Sequence, residues 1–256
     1  MGSWLQTPPG QHLLAWEQAR IDEAVADVFG YHALQLGLPE LEGLRNNRMP
    51  HRWVGTDAVF TAPPEARTVA LHCEFDALPF PNASIDLVVL PHALELARDP
   101  HQTLREVERV LVPEGRAVIV GFNPASLWGL RQRMGHVRRG MGLGRGQPLY
   151  LPSSGEFIGY WRLRDWLRLL SFEVESARFG AWRPAVKSES WLQRWAWIDP
   201  VADRWWPVLG ALYFLVAVKR VRGMRLVGLL KNEKRKARAA PAVVANRQRE
   251  TVDLEC

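Results

Sequence analysis

Apolar positions recur at helical spacing over residues 10–29, where Leu13, Leu14, Trp16, Ile21, Ala24, Val25 and Val28 gather near one side, with Thr7 and Pro8 as start signals. This predicts an N-terminal helix within residues 1–30. The pattern then changes. "HALQL" (32–36) and "RTVALHC" (67–73) are short apolar stretches, while "IDLVVL" (85–90) and "RAVIVGF" (116–122) are nearly continuous in apolar, β-rich residues, as suits strands covered on both faces. Between the last two, Asp99 and Pro100 stand where an N-cap and a first helical residue belong. Leu104, Val107, Val110 and Leu111 share one helical face before "PEG" stops it. Strand, helix and strand in alternation predict an α/β domain with a mostly parallel sheet, whose ligands bind at the carboxyl ends of the strands.

Beyond Phe122 the period loosens. Residues 123–160 are rich in Gly and Arg and predict a long loop or lid. A helix is expected at "YWRLRDWLRLL" (160–170), then strands at "FEVESARF" (172–179) and "ALYFLVAVKRV" (211–221), with a Trp-rich insertion at 180–207 between them. From Lys231 to Cys256 no face offers anything to bury, so that tail is expected to be disordered. The main domain therefore spans 31–230.

Composition alters this picture little: 47% hydrophobic and 23% charged residues over 256 positions suit one α/β domain with additions. Two cysteines give neither a disulfide framework nor a metal pattern, and the histidines lack ligand spacing, so a reducing compartment and no metal are expected. The N-terminus turns polar too soon for a signal peptide, and the longest apolar run, "VLGALYFLVAV", has 11 residues, too few to span a membrane. A cytoplasmic protein is the expectation. The formal charge of +6 is unevenly placed: Arg131, Arg133, Arg138, Arg139 and Arg145 form a stretch without a carboxylate, and the tail after Leu230 is also basic. The arginine stretch reads as a solvated lid, a contact for an anionic substrate, or a contact for lipid phosphates. Nucleic acid is not the expected partner, since no reading motif accompanies the charge.

Residues 73–124, "CEFDALPFPNASIDLVVLPHALELARDPHQTLREVERVLVPEGRAVIVGFNP", resemble the class I S-adenosylmethionine-dependent methyltransferases of the type 11 group, through the ordered series of "DALPF", "IDLV" and "LREVERVLVPEG". The leading helix, "FGYHALQLG" and "GFNPASLWGLR" are similar to an uncharacterised bacterial subgroup of methyltransferase-like proteins. The resemblance implies a Rossmann-like sheet of seven strands, mostly parallel with an antiparallel last strand, and helices on both faces. It implies S-adenosylmethionine as cofactor and transfer of its methyl group to an acceptor that the sequence does not identify.

By the same resemblance, Asp76 accepts from the adenine amino group, Ala77 and Leu78 flank the ring, and Gly37 marks the turn after the first strand. Leu90 and His92 line the place of the sulfonium and methyl group, with His92 the candidate catalytic residue. Two departures stand out. In "LQLGLPELEG" Gln35 replaces the family's acid, and Pro39 and Glu40 stand where glycines belong. In "HRWVGTDAVF" Asp57 is the carboxylate available for the ribose. The cofactor is then held in an altered way, or the chain is a non-catalytic relative of the same fold that binds a protein partner or an anionic surface.

Plainer roles exist for several of these residues. Asp76 could cap a turn, His92 could satisfy a helix start, and Asp86 is expected to be structural. His72 and Cys73 point to opposite faces of one strand and are expected in the core. The tryptophans at 182, 191, 195, 197, 205 and 206, with Trp191 and Trp195 four apart on one helical face, are expected in core or interface packing, the alternative being a membrane boundary.

Overall fold

The computed structural model describes residues 2–57, 69–141, 149–152, 155–186 and 188–220. In chain order the elements are α1 (Gly2–Leu5), α2 (Pro8–Val25), β1 (His32–Leu36), β2 (His51–Thr56), β3 (Leu71–His72), β4 (Ile85–Pro91), α3 (Ala93–Leu96), α4 (Pro100–Val110), β5 (Leu111–Phe122), α5 (Leu127–Gly140), α6 (Tyr160–Leu169), β6 (Phe172–Gly180), α7 (Glu189–Arg194), α8 (Ile198–Trp205) and β7 (Leu212–Lys219). The seven strands form one sheet in the order β3-β2-β1-β4-β5-β7-β6. All neighbours are parallel except β7, which runs against both β5 and β6. Strand order reverses beside β1, and in such sheets the crevice at the carboxyl ends near that point takes the ligand.

Local chemistry accounts for the central elements. Asp99 accepts from the backbone N–H groups of His101 and Gln102, Pro100 opens the helix, and α4 buries Leu104, Val107 and Val110 against the sheet. The helix passes straight into β5 at Leu111, so "PEG" lies inside a long strand rather than in a separating loop. Its pairing with β4 is shifted there, and Glu114 takes a φ of 64° to absorb the irregularity. At the opposite edge, β3 is only two residues long, and residues 67 and 68 of the expected strand lie outside the described residues. As an edge residue His72 is exposed, not in the core, and its Nδ1 meets Thr56 Oγ1 at 3.0 Å. Cys73 is half-buried, and that burial, with Asp57 nearby, pushes its thiol up to about 11.

Thr7 caps α2, its hydroxyl accepting from the Gly10 N–H. The buried face of α2 is Leu13, Glu17, Ile21 and Val25, one residue per turn, so a carboxylate sits within an apolar stripe. Gly30 admits the side chain of Asp86, because a Cβ there would stand 2.4 Å from Asp86 Cγ. Asp86 Oδ2 accepts from the backbone N–H groups of Tyr31 and His32, both at 2.9 Å, a structural role at the amino end of β1.

The segment expected as a loop contains α5 over Leu127–Gly140, capped by Ser126, which accepts from the Gly129 N–H. This helix buries Trp128, Gly129 and Gln132, a mixed face with weak apolar signal. Gln132 exchanges two hydrogen bonds with the Leu151 backbone. Of the clustered tryptophans, Trp191, Trp197, Trp205 and Trp206 are exposed and so lie outside the core of this chain. No helix among the described residues is long and apolar enough to cross a membrane. The tail 231–256 and Arg145 lie outside the described residues.

Candidate active site

The carboxyl ends of β1, β2, β3 and β4 bring Gly37, Asp57, Asp76 and Leu90 to one edge of the sheet, although they are distant in sequence. Gly37 follows β1 directly and takes a φ of 87°, a left-handed turn that favours glycine. Its N–H donates to the Gly55 carbonyl at 2.9 Å, tying the turn to the end of β2.

Gln35 explains how the rest of this loop holds without the family glycines. Its side chain is buried in β1, and its Nε2 donates to the carbonyls of Leu38 (3.0 Å) and Leu41 (2.8 Å). Its Oε1 accepts from the Gly43 N–H at 2.9 Å. Gln18 of α2 adds a clasp, accepting from the Glu42 N–H and donating to the Glu42 carbonyl. The loop is thus folded around an amide side chain, which offers both a donor and an acceptor where a carboxylate offers only acceptors. Gln35→Glu, the change that restores the family acid, should therefore destabilise the protein by roughly 1–3 kcal/mol, because buried carbonyls lose their donor. Urea unfolding monitored by tryptophan fluorescence measures it, and an unchanged midpoint would contradict this account of the loop.

After β3, the "DALPF" turn is fixed from α4. Glu106 Oε2 accepts from the Leu78 N–H at 2.9 Å, and Arg109 donates to the carbonyls of Leu78 (2.9 Å) and Phe80 (2.8 Å) and to Asn82 Oδ1 (2.8 Å). The two side chains also pair at 2.7 Å, and the Arg109 guanidinium holds the Glu106 carboxyl below its usual range. Glu106 and Arg109 of "REVER" are therefore clamps on the turn, a role that sequence reasoning did not assign. Asp76 is half-buried, and its carboxylate makes no hydrogen bond or ion pair among the described residues. The turn closes through Ala77 N–H to the Glu74 carbonyl, without a capping bond from Asp76. Leu78 and Leu90 are buried and Ala77 is exposed.

His92 differs most from expectation. It follows the last residue of β4 with a φ of 54° and makes no side-chain cap to α3. Its ring is 1% exposed and lies between two carboxylates, Nε2 at 2.8 Å from Glu17 Oε1 and Nδ1 at 2.9 Å from Glu95 Oε2. Burial alone would lower its pKa, but the Glu17 and Glu95 charges outweigh that and push it up to about 10. Both ring nitrogens are engaged by carboxylates, an arrangement that favours the imidazolium over a free base. Glu95 also accepts from the Phe122 N–H, and burial drives its own pKa upward. Phe122 packs against the His92 ring at 4.5 Å between centroids. Tyr213 of β7 crowds the same place, with its phenol pushed well up by burial and then by the Glu95 charge. The second oxygen of Glu17 is buried without a hydrogen-bond partner among the described residues.

The chain belongs to the type 11 group of the class I S-adenosylmethionine-dependent methyltransferases, and its seven-stranded sheet has their Rossmann-like fold. The methyltransferase-domain family matches residues 45–119. Along nearly its whole length the chain is similar to the uncharacterised protein YafS of Escherichia coli K12, with 30% identity over 246 residues, 96% of this chain and 91% of that protein. A ubiquinone/menaquinone biosynthesis C-methyltransferase of Hahella chejuensis is 44% identical over 48 residues, 19% of each chain. Among solved structures, an S-adenosylmethionine-dependent methyltransferase of Thermotoga maritima matches with a TM-score of 0.52 at 13% identity, covering 81% of this chain and 91% of its own. Another, from Mesorhizobium loti, gives 0.50 at 15% identity, covering 78% and 96%. The cofactor implied by this family and fold is S-adenosylmethionine.

Proposed function

We propose that the protein is an enzyme that transfers the methyl group of S-adenosylmethionine to an acceptor. The observation that carries this reading is the Asp76 carboxylate, which has no partner among the described residues, on a turn that Glu106 and Arg109 clamp. A fixed, unpaired acceptor at the end of β3 suits the amino group of an adenine. Asp57, following the last residue of β2, would be the acceptor for the ribose hydroxyls. Gly37 keeps the turn after β1 close to the methionine portion, while Leu78 and Leu90 supply apolar walls. The cofactor brings an already activated methyl group, so the protein's contribution is positioning and exclusion of water. His92, held as a cation by Glu17 and Glu95, fixes the floor at the end of β4 rather than taking a proton.

The Hahella chejuensis relative is named for ubiquinone and menaquinone biosynthesis, but the match spans only 48 residues and carries no acceptor to this chain.

Calorimetric titration with S-adenosylmethionine and, separately, S-adenosylhomocysteine tests the reading. Micromolar binding of both is expected. Asp76→Ala should weaken it by about 1–3 kcal/mol, the worth of a hydrogen bond to a charged group. No binding by folded protein at millimolar ligand would overturn the reading, and an unchanged affinity in Asp76→Ala would remove that residue from the site.

A further inference from the structure

Helix α5 has its apolar residues on the wrong side for a core. Leu127, Leu130, Met134 and Val137, followed by Met141 at the cap, are 49–62% exposed and recur at spacings of three and four. At 3.6 residues per turn they fall within an arc of about 80°. The buried residues Trp128 and Gln132 lie on the opposite side. Arg131 and Arg138 border the stripe on one flank and Arg133 on the other, and α5 contains no Asp or Glu. This helix is firmly seated: Trp128 Nε1 donates to the Arg183 carbonyl at 2.6 Å, and Gln132 is bonded to Leu151.

The segment α5 rests on leads to more outward-facing apolar surface. Trp182 Nε1 donates to the Trp206 carbonyl, and Trp205, Trp206 and Leu209 are exposed at the end of α8 and in the turn after it. Indole rings are well suited to the boundary between lipid headgroups and hydrocarbon.

We propose that α5 is an interfacial anchor that docks the protein on an anionic lipid bilayer. The apolar stripe would enter the headgroup–acyl boundary, and Arg133 and Arg138 would meet lipid phosphates, while Arg131 is held by the Ala185 carbonyl and the Tyr150 ring. Charge argues for this occupant over a second copy of the chain: two α5 stripes packed face to face would bring their flanking arginines together, whereas an anionic surface complements them. The anchor would hold the carboxyl edge of the sheet near the membrane, because α5 follows the end of β5 directly.

Co-sedimentation of the full chain with phosphatidylglycerol-containing vesicles, and with pure phosphatidylcholine vesicles, tests the proposal without cofactor or acceptor, so it stands or falls separately from methyl transfer. Binding to anionic vesicles is expected, falling as salt rises. The double variant Met134→Gln/Val137→Gln, changed only on the exposed face, should lose roughly tenfold in binding or more, and Arg133→Glu/Arg138→Glu should lose the preference for anionic lipid. Light scattering on the same samples reads the oligomeric state. Failure of the wild type to bind anionic vesicles would overturn the proposal, as would undiminished binding by Met134→Gln/Val137→Gln. A dimer that this double variant converts to monomer would assign the stripe to a second copy instead.

Discussion

Replacing Glu17 with alanine should lower the stability of the protein by about 3–5 kcal/mol, the usual cost of removing one member of a buried ion pair. The carboxylate is 1% exposed and meets His92 Nε2 at 2.8 Å, and its loss would leave a buried imidazolium with Glu95 alone. Part of the cost comes from connectivity. Through Glu17, His92 and Glu95 the cluster joins α2, the end of β4, α3 and, by the Phe122 N–H, the end of β5. Leu13, Ile21 and Val25 keep α2 docked by their own burial, so the variant should still fold and its loss should be measurable by urea unfolding. Glu17→Gln, which keeps the shape and a polar contact to Nε2, should lose less. A loss below about 1 kcal/mol for Glu17→Ala would mean that the pair's desolvation had offset nearly all of its attraction.

The sequence showed the middle of the fold and little of the chemistry beneath the site. The run from β4 through α4 to β5 was readable because the Asp99–Pro100 cap and continuous apolar strands are local signals. The stretch 67–73 was readable as apolar, but its length was not: among the described residues only Leu71 and His72 pair as β3 at the sheet edge. Helix α5 escaped because its periodic apolar residues face outward while its buried face is Trp, Gly and Gln; a helical period was present, but on the side that does not pack. Positions for cofactor contact came from a family resemblance rather than from any pattern in the chain, and the residues concerned lie far apart in sequence at the carboxyl ends of different strands. What sequence reasoning missed is how departures from the family are accommodated. Gln35 is legible in hindsight as a polar residue within an apolar strand, and Glu17 as an acid within the stripe of Leu13, Ile21 and Val25. Both break an apolar pattern, and in both cases the partner comes from tertiary structure: Glu17 and His92 are 75 positions apart.

Stability should fall steeply as pH rises from about 6.5 toward 10. His92 is displaced upward, from an ordinary 6.5 to about 10, so the folded protein holds a proton that the unfolded chain releases first. The contribution is complete below the unfolded value and is lost as pH passes through the folded one. A displacement of this size corresponds to roughly 4–5 kcal/mol for a group with no solvent to screen it. Glu95, displaced upward by burial, has the same sign, and its loss begins at lower pH. Cys73 adds to the loss only above its ordinary 9.0, and His12, displaced downward by burial, acts with the opposite sign only as pH falls through 6.5 and below. Between about 6.5 and 9 the slope therefore belongs mainly to His92. Urea midpoints measured across that window should decline for the wild type and decline much less for His92→Gln, which has no proton to lose. Glu17→Gln, with one of the two neighbouring charges removed, should move the decline to lower pH. A flat wild-type profile would show that His92 is buried neutral, and the imidazole would then again be available as a base at the end of β4.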